Sequence, residues 1–208
     1  MNRRMGIISS CITAACTILF AISIVARHYP IQYAACLFLS WAYLLTACAF
    51  WGEAKTETKP LAFASVAVGV IYSVFTNLVY FSQLATVANG NQNDMFIQSI
   101  TFTSGRWMFD LDLLGYGLLA LSTFLLAFTI HAKNKPDKVM KVMLWIHGLF
   151  FVSCVFMPML GVFKESHEVT NSLGMGDIAL FIWCCFFAPI MLLSALRFRR
   201  LPAKDRSA

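Results

Sequence analysis

The stretch LAFASVAVGVIYSVFTNLVYFSQL, residues 61–84, carries no charged side chain over 24 positions. As a helix rising 1.5 Å per residue it is about 36 Å long, enough to cross the roughly 30 Å hydrocarbon layer of a bilayer. Its polar residues are not scattered. Gly69, Ser73, Thr76, Tyr80 and Gln83 recur at four-three-four-three spacing, which places them on one stripe of a helix, with Asn77 beside it. Lipid supplies no hydrophobic force between helices, so small residues, hydroxyls and amides are what join one helix to another. The segment therefore predicts a membrane span that packs through a polar seam. The same stripe also suits the wall of a ligand cavity or path, and Asn77, Tyr80 and Gln83 in its later half are the ligand candidates on this span.

Outward from this segment the pattern repeats. Apolar runs cover residues 5–26, 31–51, 108–131, 141–163 and 178–196, each 18 residues or longer. The whole chain is 59% hydrophobic and 12% charged, with a mean hydropathy of +0.71. A soluble globule of this size needs about a quarter of its residues charged to cover its surface, whereas a lipid-facing surface needs none. The runs are continuous rather than alternating, so they are not barrel strands. The fold class expected is all-α: a polytopic transmembrane bundle of six helices forming one domain over residues 1–208. The first run, at 22 residues, is longer than a signal-peptide core, and Ile24 before Ala26 departs from the small-x-small cleavage pattern. It reads as an uncleaved span.

Basic residues orient the bundle. With the N-terminus in the cytoplasm, Arg3, Arg4, Lys55, Lys59, Lys133, Lys135, Lys138, Lys141, Arg197, Arg199, Arg200, Lys204 and Arg206 lie inside. Only Arg27, Arg106 and Lys164 lie outside. Both termini are thus expected to be cytoplasmic, in a multi-pass protein of the plasma (cytoplasmic or inner) membrane. The net charge of +6 does not indicate nucleic acid, because the basic tail follows an apolar run directly, where Lys and Arg sit at headgroups. All seven cysteines fall in apolar runs and behave there as small hydrophobes, not as a disulfide framework.

The one long polar interruption is ATVANGNQNDMFIQSITFTSGRWMFDLD, residues 85–112, which the orientation places outside, between the third and fourth spans. Its front is a turn-forming cluster, while residues 95–108 mix apolar and hydroxyl side chains and suit a short interfacial helix. At its end Arg106 and Asp110 stand four apart, and Asp112 points elsewhere. Carboxylates at the hydrocarbon edge are costly and tend to mark an ion or substrate site. His147 is the histidine deepest in a run, suited to a proton path, to binding a metal or, as the plainer reading, to a neutral hydrogen bond donated onto the fourth span. Pro158 and Pro189 interrupt the fifth and sixth spans, with kinks as the expected effect. Met157, Met159 and Cys154 offer soft ligands that fit plain packing equally well.

The ligand or path candidates are therefore Asn77, Tyr80, Gln83, Arg106, Asp110 and His147. No catalytic set is assigned. The alternative is a hydrolase or transferase site at the outer interface built from Asp110, Asp112 and His167. No metal and no cofactor is expected: HExxH, GxSxG and phosphate-binding glycine patterns are absent, and the two outer histidines, His28 and His167, are too few for a three-histidine zinc site. The function expected is that of a non-enzymatic membrane component, transporter-like and binding a small solute or lipid, or an accessory subunit. A structural or partner-binding subunit is the further alternative. The partners expected are the bilayer and a small solute or lipid, and not nucleic acid.

The orientation is checked by fusing a reporter enzyme that is active only outside the cytoplasm. A fusion after residue 92 is expected to be active and fusions after residues 56 and 201 inactive; the reverse pattern would invert the bundle.

Overall fold

The computed structural model describes residues 2–163 and 175–201, with the Met175 side chain excepted. The described residues form seven α-helices: α1 (Asn2–Val25), α2 (Tyr29–Glu53), α3 (Lys59–Phe81), α4 (Met95–Ile100), α5 (Trp107–Thr129), α6 (Lys135–Met159) and α7 (Met175–Arg200). All except α4 are long and apolar enough to cross a membrane. Each of the six extends past the apolar core of its run at one end or both, because polar first and last turns continue the same helices.

Local chemistry marks the boundaries. Pro30, Pro60 and Pro136 stand in the first turns of α2, α3 and α6, where the missing N–H is no loss. The Asn134 side chain accepts from the Asp137 N–H at 2.9 Å and caps α6. The α1–α2 turn is tight: Arg27 takes a left-handed conformation, φ 54°, and the Gln32 amide donates back to the Ser23 carbonyl at 3.0 Å. At the far end of α6, Gly161 at φ 69° lets its N–H reach the Pro158 carbonyl and the Val162 N–H reach that of Met157. This pair of bonds closes a Schellman motif. It ends the helix at Met159, so residues 160–163 of the expected fifth span are turn.

The six long helices form a closed ring in chain order. α1 packs on α2, α2 on α3, α3 on α5, α5 on α6 and α6 on α7, and α7 returns to α1. The connections α1–α2, α2–α3 and α5–α6 are short and keep those neighbours in sequence adjacent in space, and the α1–α7 contact closes the ring. Hydroxyl groups make many of the joints. Tyr43 of α2 shares a hydrogen bond of 2.6 Å with Ser122 of α5. The hydroxyls of Ser65 on α3 and Ser122 donate to each other's carbonyls at 2.8 and 2.7 Å. Gly69, one turn further on, brings α3 so close that an added Cβ would lie 3.4 Å from the Ser122 hydroxyl. Thr46 of α2 donates to Ser9 of α1 at 2.9 Å.

The two ends of the ring differ. At one end lie α4 and the turns around it, the cap. At the other, the basic end, side chains bind the helix termini together. Arg197 pairs with Asp137 at 2.7 Å and donates to the His131 carbonyl, while the Arg3 guanidinium donates to the carbonyls of Phe198 and Arg199. Asn2 bridges to the Glu53 carboxylate and the Ala49 carbonyl. Arg197 and Arg3 are therefore structural ties, whereas Arg4, Arg199 and Arg200 are exposed.

The ring predicts where an added methyl group is costly. In Gly148→Ala the Cβ would lie 2.5 Å from a ring carbon and 2.8 Å from the Cβ of Phe124, so overpacking of about 1–3 kcal/mol is expected, read as a lower thermal midpoint in detergent. Gly69→Ala, with its nearest neighbour at 3.4 Å, is expected to lower the midpoint less.

Candidate functional site

The polar seam of α3 is buried as its spacing predicts: Ser65, Gly69, Tyr72, Ser73, Thr76 and Tyr80 lie inside, followed by Gln83. The three ligand candidates on it nevertheless face three different partners. The Asn77 amide is half-buried at the α2–α3 joint, accepting from the Trp41 indole at 2.8 Å and donating to the Ser73 carbonyl at 2.6 Å. Tyr80 turns into the bundle. Gln83 turns up to the cap.

Gln83 sits where α3 widens into a π-turn, Ser82–Val87. Its amide donates to the Ile100 carbonyl at 2.8 Å and accepts from the Phe102 N–H at 2.9 Å. One side chain thereby supplies both bonds that a neighbouring strand would, and fixes the chain as it leaves α4. The cap helix begins at Asp94, whose carboxylate accepts from the Phe96 N–H, and buries Ile97 and Ile100. Phe102 then stacks over the Tyr80 ring at 6.2 Å and lies 6.1 Å from that of Tyr33. The long polar interruption is thus a tied-down roof with a short helix in it.

Arg106 and Asp110 make no ion pair. Arg106 precedes the first turn of α5 and its guanidinium donates back to the Gln98 carbonyl at 3.3 Å, leaving Asp110 exposed. Asp112, two residues on and roughly 200° round the helix, is buried to 2% exposure. Its Oδ2 accepts from the Tyr80 hydroxyl at 2.9 Å, and its Oδ1 has no hydrogen-bond partner. Asp110 and Asp112 accordingly face opposite ways, and His167 lies outside the described residues.

Around Asp112 the interior is phenolic. Tyr72, Thr76 and Tyr80 repeat every four residues on the buried face of α3, and Tyr116 stands one turn beyond Asp112 on α5. The Tyr116 hydroxyl shares a hydrogen bond with the Cys36 thiol at 3.3 Å, and its ring meets Trp183 edge-on at 4.9 Å. Gly115 of α5 faces this part of α3: a Cβ there would make ordinary contacts of 3.4 Å with the Phe75 Cβ and 3.6 Å with the Thr76 hydroxyl oxygen. The hydroxyls of Thr76 and Tyr72, one turn apart on α3, are buried near each other and have no other partner. Tyr72, Tyr116 and Cys36 were not candidates from sequence, although the four-residue spacing from Asp112 to Tyr116 and from Tyr72 through Thr76 to Tyr80 was there to be read.

The comparisons with known proteins return nothing: no family model matches this chain, and neither does any curated protein or solved structure. The site must be read from its own chemistry.

His147 is fully buried on α6. Trp183 of α7 donates its indole N–H to the Nε2 at 2.9 Å, and the Nδ1 lies 2.6 Å from the Thr123 hydroxyl of α5. An indole only donates, so Nε2 is the unprotonated nitrogen, and the Nδ1–H donates to Thr123, whose own hydroxyl donates to the Ala120 carbonyl. Both nitrogens are used in joining three helices. Among the described residues no group of three His, Cys, Asp or Glu could hold a metal ion. Two grooves of about 490 and 500 Å³ open on the bundle surface, one between α1 and α7 and one beside Asn77 on α2 and α3, and neither includes Asp112 in its walls.

Gln83→Leu removes both bonds to the cap and strands the Ile100 carbonyl and the Phe102 N–H, at about 1–3 kcal/mol for each group that stays buried. Faster limited proteolysis within residues 88–106 than in the wild type is expected. Equal rates would show that the amide does not hold the roof.

Proposed function

We propose that this chain is a non-enzymatic, multi-pass membrane protein, transporter-like, that takes a small solute at a buried carboxylate beneath its outer cap. The observation that carries the reading is Asp112: a carboxylate inside the span, bonded once by Tyr80, with its second oxygen unbonded. An ionisable group in the hydrocarbon region is expensive to place, and where one is placed it faces the bundle interior and marks a binding site or path. Packing alone does not need it. Asparagine or threonine would accept the Tyr80 hydrogen bond at lower cost.

The remaining candidates support a division of labour. Asn77 and His147 use their polar atoms to join helices, Gln83 holds the cap, and the two grooves on the lipid-facing surface have largely apolar walls suited to acyl chains. The catalytic alternative lacks support in the geometry of the described residues, because Asp110 and Asp112 diverge. The basic end fits the cytoplasmic headgroups of the plasma membrane, with the cap outside.

Thermal unfolding of the purified protein in nanodiscs, followed by tryptophan fluorescence against a panel of alkali chlorides, primary amines, amino acids and polyols, tests this. At least one solute is expected to stabilise the wild type saturably, by about 2.7 kcal/mol at a hundredfold excess over Kd. Asp112→Asn, which keeps an acceptor for Tyr80, is expected to abolish that shift. A wild type that no solute stabilises, or a shift unchanged in Asp112→Asn, would leave a structural or partner-binding subunit as the better account.

A further inference from the structure

Three of the four buried side-chain oxygen or nitrogen atoms without a close hydrogen bond among the described residues belong to one α3–α5 seam: Asp112 Oδ1, and Thr76 Oγ1 and the Tyr72 hydroxyl oxygen, which lie near enough to interact with each other. The fourth, on Ser10, lies on α1. In lipid such groups have no water to turn to, so three on one seam, with a carboxylate among them, is an arrangement that a ligand completes. We propose that the seam takes one small monovalent cation, a proton or a sodium-like ion, on Asp112 Oδ1 with the hydroxyls of Thr76 and Tyr72 beside it. The proposal rests on the reading of Asp112 as a solute site and names the class of solute.

The chemistry of the walls selects the charge and the size. All three free atoms are oxygens, the donor type preferred by hard cations and by protons. The sulfur at hand, on Cys36, is already bonded to Tyr116. One carboxylate supplies one negative charge; calcium sites gather several oxygen ligands with more than one carboxylate among them, and no such set is present among the described residues. Among the described residues the Lys and Arg side chains lie in the end turns of the spans or beyond them, and none of these is a fixed cation at Asp112. Organic cations need a ligand-sized chamber, and neither the α1–α7 groove nor the α2–α3 groove has Asp112 in its walls.

Among the described residues the titratable groups facing Asp112 are Tyr72 and Tyr80 of α3, Tyr33 and Cys36 of α2, Tyr116 of α5 and Cys154 of α6. Phenols and thiols ionise only at alkaline pH in their ordinary state, so the carboxylate is the group among these that can exchange a proton for a metal ion at neutral pH. On α7, Trp183 touches Tyr116, and His147 reaches the cluster through that indole with both nitrogens engaged. When a proton binds, an O–H bond forms on Asp112 and no charge remains. When a sodium-like ion binds, the carboxylate stays ionised and the hydroxyl oxygens complete its shell.

The experiment follows the unfolding midpoint of the purified full chain in detergent, with N-methylglucamine chloride as the baseline salt, replaced at constant ionic strength by lithium, sodium or potassium chloride, at pH 6 and pH 8. A saturable rise with a metal ion at pH 8, or a rise on going from pH 8 to pH 6 that ignores the metal, supports the site provided Asp112→Asn loses it. Thr76→Val separates the two sources: it weakens a metal ion by about tenfold and leaves a proton effect in place. If Asp112→Asn does not fold, Tyr80→Phe replaces it. Loss of the bond to Oδ2 then alters the ion affinity or the pH midpoint, and an unchanged response overturns the proposal. A wild type indifferent to every cation and to pH, or an Asp112→Asn protein that keeps the response, also overturns it. A larger panel solute that stabilises the wild type through Asp112 without any cation or pH effect overturns the cation alone and leaves the solute site standing; no response to anything removes both.

Discussion

In hydrocarbon a polar group must find its partner inside the protein, and the packing of this bundle is ordered by that requirement. The joints between α2, α3 and α5 are made by Tyr43, Ser65 and Ser122, whose hydroxyls and carbonyls satisfy one another. The joint between α5, α6 and α7 is His147, whose two nitrogens are used by Thr123 and Trp183. The α1–α2 joint carries Thr46 on Ser9. These bonds are worth only about 0.6–2 kcal/mol each in a membrane, yet they select one register, because a helix slid by one residue would leave every partner unmatched.

Seen this way, the exceptions carry more information than the rule. Several hydroxyl-bearing residues elsewhere in the spans return their protons to carbonyls one turn back, as Thr13, Thr17 and Ser194 do. Thr76 has the same option and the same helix geometry, but its oxygen is unbonded, as is the free oxygen of Asp112 on the facing helix. A seam that could have been closed with alanine or serine instead holds a carboxylate and two hydroxyls with no partner beyond each other.

Much of the architecture was legible because it follows from one-dimensional quantities. Apolar run length marks six helices able to cross a membrane, and the four-three spacing on residues 61–84 picks out the face of α3 that is buried. What the sequence hid is long-range pairing. Nothing local says that Arg197 meets Asp137 across 60 positions, so a residue that reads as a headgroup anchor proves to be a tie between α6 and α7. Asp110 and Asp112 look equivalent in a list of acids, and only the 100° turn per residue assigns one to the surface and the other to the core. The roof is a similar case. Residues 85–112 read as an outer loop with room for a short interfacial helix, and the amide of Gln83 that pins it lies in the preceding span, where it reads as part of the seam.

That placement has a mechanical consequence. Gln83 and Tyr80 are three residues apart on one helix, the first bonded to the cap backbone and the second to Asp112, while Phe102 of the cap stacks on the Tyr80 ring. The roof and the carboxylate therefore share a side chain. A change in the charge at Asp112 alters how strongly Tyr80 is held, and a change in Tyr80 is felt by the ring stacked above it. The π-turn at Ser82–Val87 sits at this junction, where the helix has left its regular spacing and has the slack to absorb a small displacement.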